Sequence, residues 1–194
     1  AELEKKHPGA VALFFAGCGG DQSPSPRGTM KWGAEHGRAL ADAVEKVLKA
    51  EMRPVTDRLE VRFAVVELPY AYLPNQKELE ELVKRRNPGP HHPARRFLKQ
   101  IKEKGAISPT YPYPVQVWNL GTGLTLAALG GEPVVDYSLR LKKELGPDHT
   151  WVAGYCNDVM AYIPSLRVLR EGGYEGKVSM AHYGHPSTWG PTVE

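Results

Sequence analysis

Cysteine is scarce in this chain: Cys18 and Cys156 are the only two among 194 residues. Two thiols are too few for a disulfide scaffold or a cysteine-only zinc site. Both read as small buried groups at strand ends. Charge of one sign is scarce too. Lys and Arg number 25 against 22 Asp and Glu, and the net charge is +3. The basic residues are scattered, so no nucleic-acid partner is expected. No apolar run approaches the roughly 20 residues of a membrane-spanning helix. Ala1 to Lys6 are charged, and no apolar signal core with a cleavage site follows. The chain also lacks an initiating Met, and a core-type apolar run begins at Val11. It reads as a piece of a longer protein, so the missing signal peptide says little about compartment. No internal repeat and no linker interrupts it.

What is present is enough for one domain, 1–194, with a real core. Its organising stretch is Val11-Ala-Leu-Phe-Phe-Ala16 followed by Gly17-Cys-Gly-Gly-Asp-Gln-Ser23-Pro24. The apolar run predicts a strand buried on both faces. The glycines then allow a sharp turn that presents Asp21 and Ser23 at a sheet rim. A helix is expected over 29–51, from apolar residues at helical spacing. Alternation over 59–68 predicts a strand. Residues 76–104 are charged and read as a solvated insertion of two helices, 76–86 and 94–104, hinged at Asn87 to Pro93 and ended by Tyr111-Pro-Tyr-Pro114. A hairpin is expected over 115–129, a helix over 134–145, a strand over 151–155 and a short helix over 165–170. The tail, 177–194, has no clear periodicity. This order predicts an α/β fold, a mixed sheet with flanking helices, forming part of a larger catalytic domain.

Glycine turns recur at strand ends, each followed by a polar residue: Asp21 and Ser23, then Glu132, then Asn157 and Asp158. Ligand sites of open α/β sheets lie at such ends. Ser23 could be a nucleophile or an oxyanion-side donor, or simply a serine in a Pro-rich turn. It is not in a G-x-S-x-G elbow, and no phosphate-binding P-loop pattern is present. Glu132 could be a metal ligand or general base, or an acid complementing a helix dipole next to Pro133. Tyr162 and Tyr174 could be core tyrosines with bonded hydroxyls. His91, His92, His182 and His185 fit no zinc spacing.

Several of these residues carry a resemblance. Gly19-Gly-Asp-Gln-Ser-Pro24 resembles the G-D-x-S-P turn of the neutral/alkaline non-lysosomal ceramidases. Leu129-Gly-Gly-Glu132 through Leu139-Arg140 is similar to their P-G-E segment, and Trp151 through Asn157 to their A-G-Y-S-N turn, with Cys156 in place of Ser. Tyr162-Ile-Pro-Ser165 and Gly173-Tyr-Glu-Gly176 are similar to their Y-V-T-T and Y-E-G. The motifs come in the family's order and cover most of this chain, though only part of the family's catalytic domain. The resemblance implies a zinc amidase that splits N-acylsphingosine or a related lipid amide. It implies Glu132 and Tyr162 as zinc ligands, Ser23 and Tyr174 as catalytic groups, and Gly19, Gly20, Asp21 and Asn157 as site-loop residues. The two histidine ligands of the family belong to an upstream segment missing here, so this chain alone is expected to be inactive and to bind zinc weakly if at all. A secreted or membrane-facing parent is implied as well. Two other readings stay open: a ceramidase-like domain that binds without catalysis, and a metal-free serine hydrolase built on Ser23.

Overall fold

The computed structural model describes residues 2–52, 54–56, 58–86, 89 and 92–194. After a short helix, α1 (Glu2–Lys6), the apolar run expected to be a buried strand is extended but unpaired along its length. Val11, Leu13 and Phe14 are 77–79% exposed. Its backbone meets the sheet only at its end, where Gly154 N donates to Ala16 O at 3.0 Å. One bond at the end of a run does not make a ladder; the run shares a groove with Leu40 and Ala41 of the following helix, but its apolar side chains stay largely exposed. Phe15 alone finds a ring partner, Trp151, edge-on at 5.5 Å.

Helix α2 (Met30–Leu48) falls where its periodicity puts it, with Thr29 Oγ1 accepting from Trp32 N at its start. Strand β1 (Leu59–Pro69) follows, exposed through Glu67. Helices α3 (Gln76–Arg86) and α4 (Pro93–Lys104) match the expected pair. Pro93 opens α4 and Gly105, in the left-handed region at φ 82°, closes it. The pair is more than a solvated face: Leu79, Ala94, Phe97 and Ile107 form a small core of their own. Asn87, Pro88, Pro90 and His91 of the expected hinge lie outside the described residues.

Strand β2 (Thr110–Leu120) begins earlier than expected and runs through Tyr111-Pro-Tyr-Pro114. Pro112 and Pro114 pair with Glu67 and Val65 of β1. Pairing with β3 (Leu124–Leu129) starts only at Val115, so neither proline breaks a two-sided ladder. After β3 come β4 (Glu132–Pro133), α5 (Val135–Leu145) and β5 (Thr150–Ala153). The strand order is β1-β2-β3-β5, antiparallel except for the parallel β3–β5 pair that α5 connects. The sheet is mixed and the architecture is α/β, as the element order predicts. β6 (Tyr162–Ile163) pairs in parallel with β4 as a separate two-stranded piece.

Helix α6 (Leu166–Glu171), a π-helical turn (Tyr174–Val178) and α7 (Ser179–His182) complete the chain. The aperiodic tail has a packing role: Trp189 is among the most buried side chains and belongs to the main core with Leu68, Tyr113, Val152 and Ile163. No helix among the described residues is long and apolar enough to cross a membrane.

Candidate functional site

The site begins at a tight turn. Gly131 has φ 63°, and a Cβ there would lie 2.7 Å from Ala161 O, so only glycine lets the two short strands close up. Glu132 N then donates to Ala161 O at 2.8 Å, and Val134 N to Ile163 O at 3.1 Å. This pairing makes Glu132 and Tyr162 direct register partners across β4 and β6. The N-terminus of α5 does not need Glu132. Its first amide, Val135 N, donates instead to Asp21 Oδ1 at 2.8 Å. The carboxylate of Glu132 is thereby left for the site.

Phenols surround it. Tyr183 donates its hydroxyl to Glu132 Oε1. The Tyr174 ring meets Tyr162 edge-on at 5.4 Å, and the Tyr183 ring does so at 6.2 Å. Burial pushes the Tyr162 phenol up to about 12, and the adjacent Glu132 charge adds to the shift. Tyr183 is raised chiefly by its bond to Glu132. Tyr155, at φ 59°, is raised by burial and then by Glu132. One carboxylate thus lies among the phenols of Tyr155, Tyr162 and Tyr183, all raised above the ordinary tyrosine value.

The glycine turn packs against this arrangement. Gly20 N donates to Pro133 O at 3.0 Å, and a Cβ on Gly20 would lie 2.5 Å from Glu132 O. A Cβ on Gly19 would lie 3.1 Å from the Tyr155 hydroxyl. Ser23 lies beyond the turn, exposed, and accepts from Arg27 Nη1 at 2.8 Å. No His or carboxylate bonds to Ser23 among the described residues, so it has no paired general base. Asn157, at φ 64°, turns away: its Nδ2 donates to Gln116 Oε1 at 3.3 Å. Cys18 is buried, its thiol pushed up to about 11 by that burial, and Cys156 donates to Gly154 O at 3.2 Å.

The histidines divide. His185 uses both ring nitrogens: Nε2 donates to Met160 O at 2.9 Å, so Nδ1 accepts from the Tyr70 hydroxyl at 2.8 Å. Burial holds its pKa below the usual value. His182 lies against the Tyr174 ring at 5.8 Å. His92 caps α4 through Nδ1, and His91 lies outside the described residues. No group of three or more His, Cys, Asp or Glu placed to hold a metal occurs among the described residues. Zinc takes four donors, often nitrogen or sulfur with carboxylate. Glu132 and Tyr162 fit half of such a set, both through oxygen.

No protein-family profile and no curated protein matches the chain. Solved structures similar to it include two ceramidases. One is the crystal structure of neutral ceramidase from Pseudomonas aeruginosa, with a TM-score of 0.49 and 17% identity, covering 89% of this chain and 32% of that one. The other is a ceramidase complexed with C2, with a TM-score of 0.45 and 19% identity, covering 85% of this chain and 32% of that one. The chain therefore spans about a third of the length of these ceramidase structures.

Sequence reasoning assigns Tyr183 and Tyr155 no role of their own, although both lie against the Glu132 carboxylate. Tyr183 sits in the aperiodic tail, where only the flanking His182 and His185 drew notice. Tyr155 lies inside the Trp151 to Asn157 motif, while its positive φ of 59° is visible only in the structure.

Proposed function

We propose that this chain is part of the catalytic centre of a zinc-dependent amide hydrolase acting on N-acylsphingosine or a related lipid amide. One observation carries the reading. Glu132 and Tyr162, which come from separate motifs, are register partners, and Tyr174 from a third motif packs on Tyr162. The two remaining zinc ligands are histidines of an upstream segment of a longer protein. Without them the chain holds zinc weakly and does not turn over substrate.

A zinc ion held there would polarise the amide carbonyl and lower the pKa of bound water. Glu132 and Tyr162 supply the oxygen donors. A cation bound beside Tyr162 would offset the neighbouring carboxylate and favour the phenolate. Tyr183 fixes the Glu132 carboxylate by donating to it. Tyr174, half-exposed at the mouth, presents a hydroxyl that stabilises a developing oxyanion or delivers a proton to the leaving amine. Ser23 accepts from Arg27 and bonds no His or carboxylate among the described residues, which favours an assisting part over that of an activated nucleophile.

The test is zinc content and hydrolysis of a short-chain N-acylsphingosine by the longer protein, beside its Glu132→Gln and Ser23→Ala variants. About one zinc per chain, lost in Glu132→Gln and kept in Ser23→Ala, supports the assignment. Zinc content unchanged by Glu132→Gln removes Glu132 from the metal site. Chelator-resistant activity abolished by Ser23→Ala would restore the serine-hydrolase reading.

A further inference from the structure

Helix α4, which the ceramidase resemblance leaves without a role, forms one wall of a cavity beside the site. The cavity has a volume of about 520 Å3 and opens between α4, the start of β2 and the tail. Tyr183 lines it and also donates to Glu132, so one side chain separates the cavity from the carboxylate. Arg96 and Gln100 of α4 line it from one side, and Asp158 and Tyr111 from another. Arg96 is held in place by donating to Gly184 O, next to Tyr183, while its guanidinium lies 5.1 Å from the Phe97 ring centroid. Asp158 accepts from the Tyr111 hydroxyl at 2.6 Å. Neither Arg96 nor Asp158 forms an ion pair among the described residues.

A cation and an anion, neither in an ion pair among the described residues, thus line one cavity at the edge of the proposed amidase site. We propose that this cavity binds the amine half of the substrate, and that this half carries a carboxylate: the substrates include N-acyl amino acids. Arg96 takes the carboxylate by charge-assisted hydrogen bonds. Asp158 takes the amide N–H of the substrate and, after cleavage, the ammonium of the released amino acid. A phosphate dianion suits the cavity less well, because its double charge meets more repulsion from Asp158 than a single carboxylate does. The neutral amine half of an ordinary lipid amide would leave Arg96 without its counter-charge. This inference rests on the amide-hydrolase reading for its placement, but binding can be measured without turnover.

The experiment is calorimetric titration of the chain with N-octanoylglycine and with N-octanoylethanolamine, which differs by lacking the carboxylate. Binding of the glycine conjugate should be about ten-fold or more the tighter, as expected for a charge-assisted bond. Arg96→Gln should remove that difference and Arg96→Lys should restore part of it. Lys99→Gln, an equal change of charge on the same helix, should leave it intact. Circular dichroism melting curves check that each variant folds. Equal binding of the two ligands, or a difference that survives Arg96→Gln, overturns the inference. The amide-hydrolase reading fails separately. Arg96-dependent binding without hydrolysis in the longer protein would remove the hydrolase and keep the cavity. Glu132-dependent hydrolysis of neutral amides without Arg96-dependent binding would do the reverse.

Discussion

The indole nitrogen of Trp189 donates to the backbone carbonyl of Tyr162 at 2.8 Å. The same indole stacks on Tyr70, with ring centroids 5.2 Å apart. The tail therefore buttresses one of the two candidate metal ligands from behind. Trp189→Ala should cost about 3–5 kcal/mol of stability, the usual range for a buried aromatic. Urea unfolding followed by far-ultraviolet circular dichroism measures this. A loss under 1 kcal/mol would mean that the tail is not docked on the core.

Glu132 helps raise the phenols of Tyr155, Tyr162 and Tyr183, so removing its charge should lower them. Glu132→Gln should bring the Tyr162 titration down from about 12 toward the ordinary tyrosine value near 10. Nuclear magnetic resonance of ring-labelled tyrosine, followed through alkaline pH, reports the change. Burial is the larger cause and remains, so the shift should be partial. An unmoved Tyr162 would separate the two side chains electrostatically.

Two glycines should respond in opposite directions. Gly20→Ala puts a Cβ 2.5 Å from Glu132 O, against backbone that cannot step aside. It should destabilise by about 1–3 kcal/mol, as overpacking does. Gly33, inside α2, has nothing within 4 Å of an added Cβ. Gly33→Ala should stabilise by about 0.4–1 kcal/mol, mainly by restricting the unfolded chain. Paired denaturation curves of the two variants check both signs.

His185 gives the fold a mild acid sensitivity. Its folded pKa lies below the unfolded value, so its neutral form contributes stability above about 6.5. That contribution is lost as pH falls through the lower, folded pKa. The urea midpoint should therefore drop between pH 7 and pH 5, and the drop should shrink in His185→Gln. An equal drop in the variant would assign the sensitivity to other groups.

Much of this architecture could be read from sequence because periodicity and caps act locally. Thr29 starts α2, Pro93 opens α4 and Gly105 ends it, and the hairpin turn lies at Gly121. The apolar run at 11–16 misled because apolarity signals burial but not a partner, and no described strand lies along it. Tyr111 to Pro114 was equally misleading, since a proline is compatible with a strand only when one side is unpaired, and that is a tertiary fact. Glu132, Tyr162 and Tyr174 could be named from motifs. Their meeting depends on the β4–β6 pairing, and Tyr183 enters the site through the packing of a tail without local signature.

The loop that carries Ser23 is stapled to the start of α5 on both sides of Val134, by Gly20 to Pro133 and by Asp21 to Val135. The turn and the strand that bears Glu132 must then move as one rigid jaw. Swinging that jaw open would strip the first amide of α5 of its acceptor, a loss of about 0.5–2 kcal/mol by the measure of helix caps. Tyr174 and Tyr183, by contrast, stand partly in solvent beside Glu132 and Tyr162.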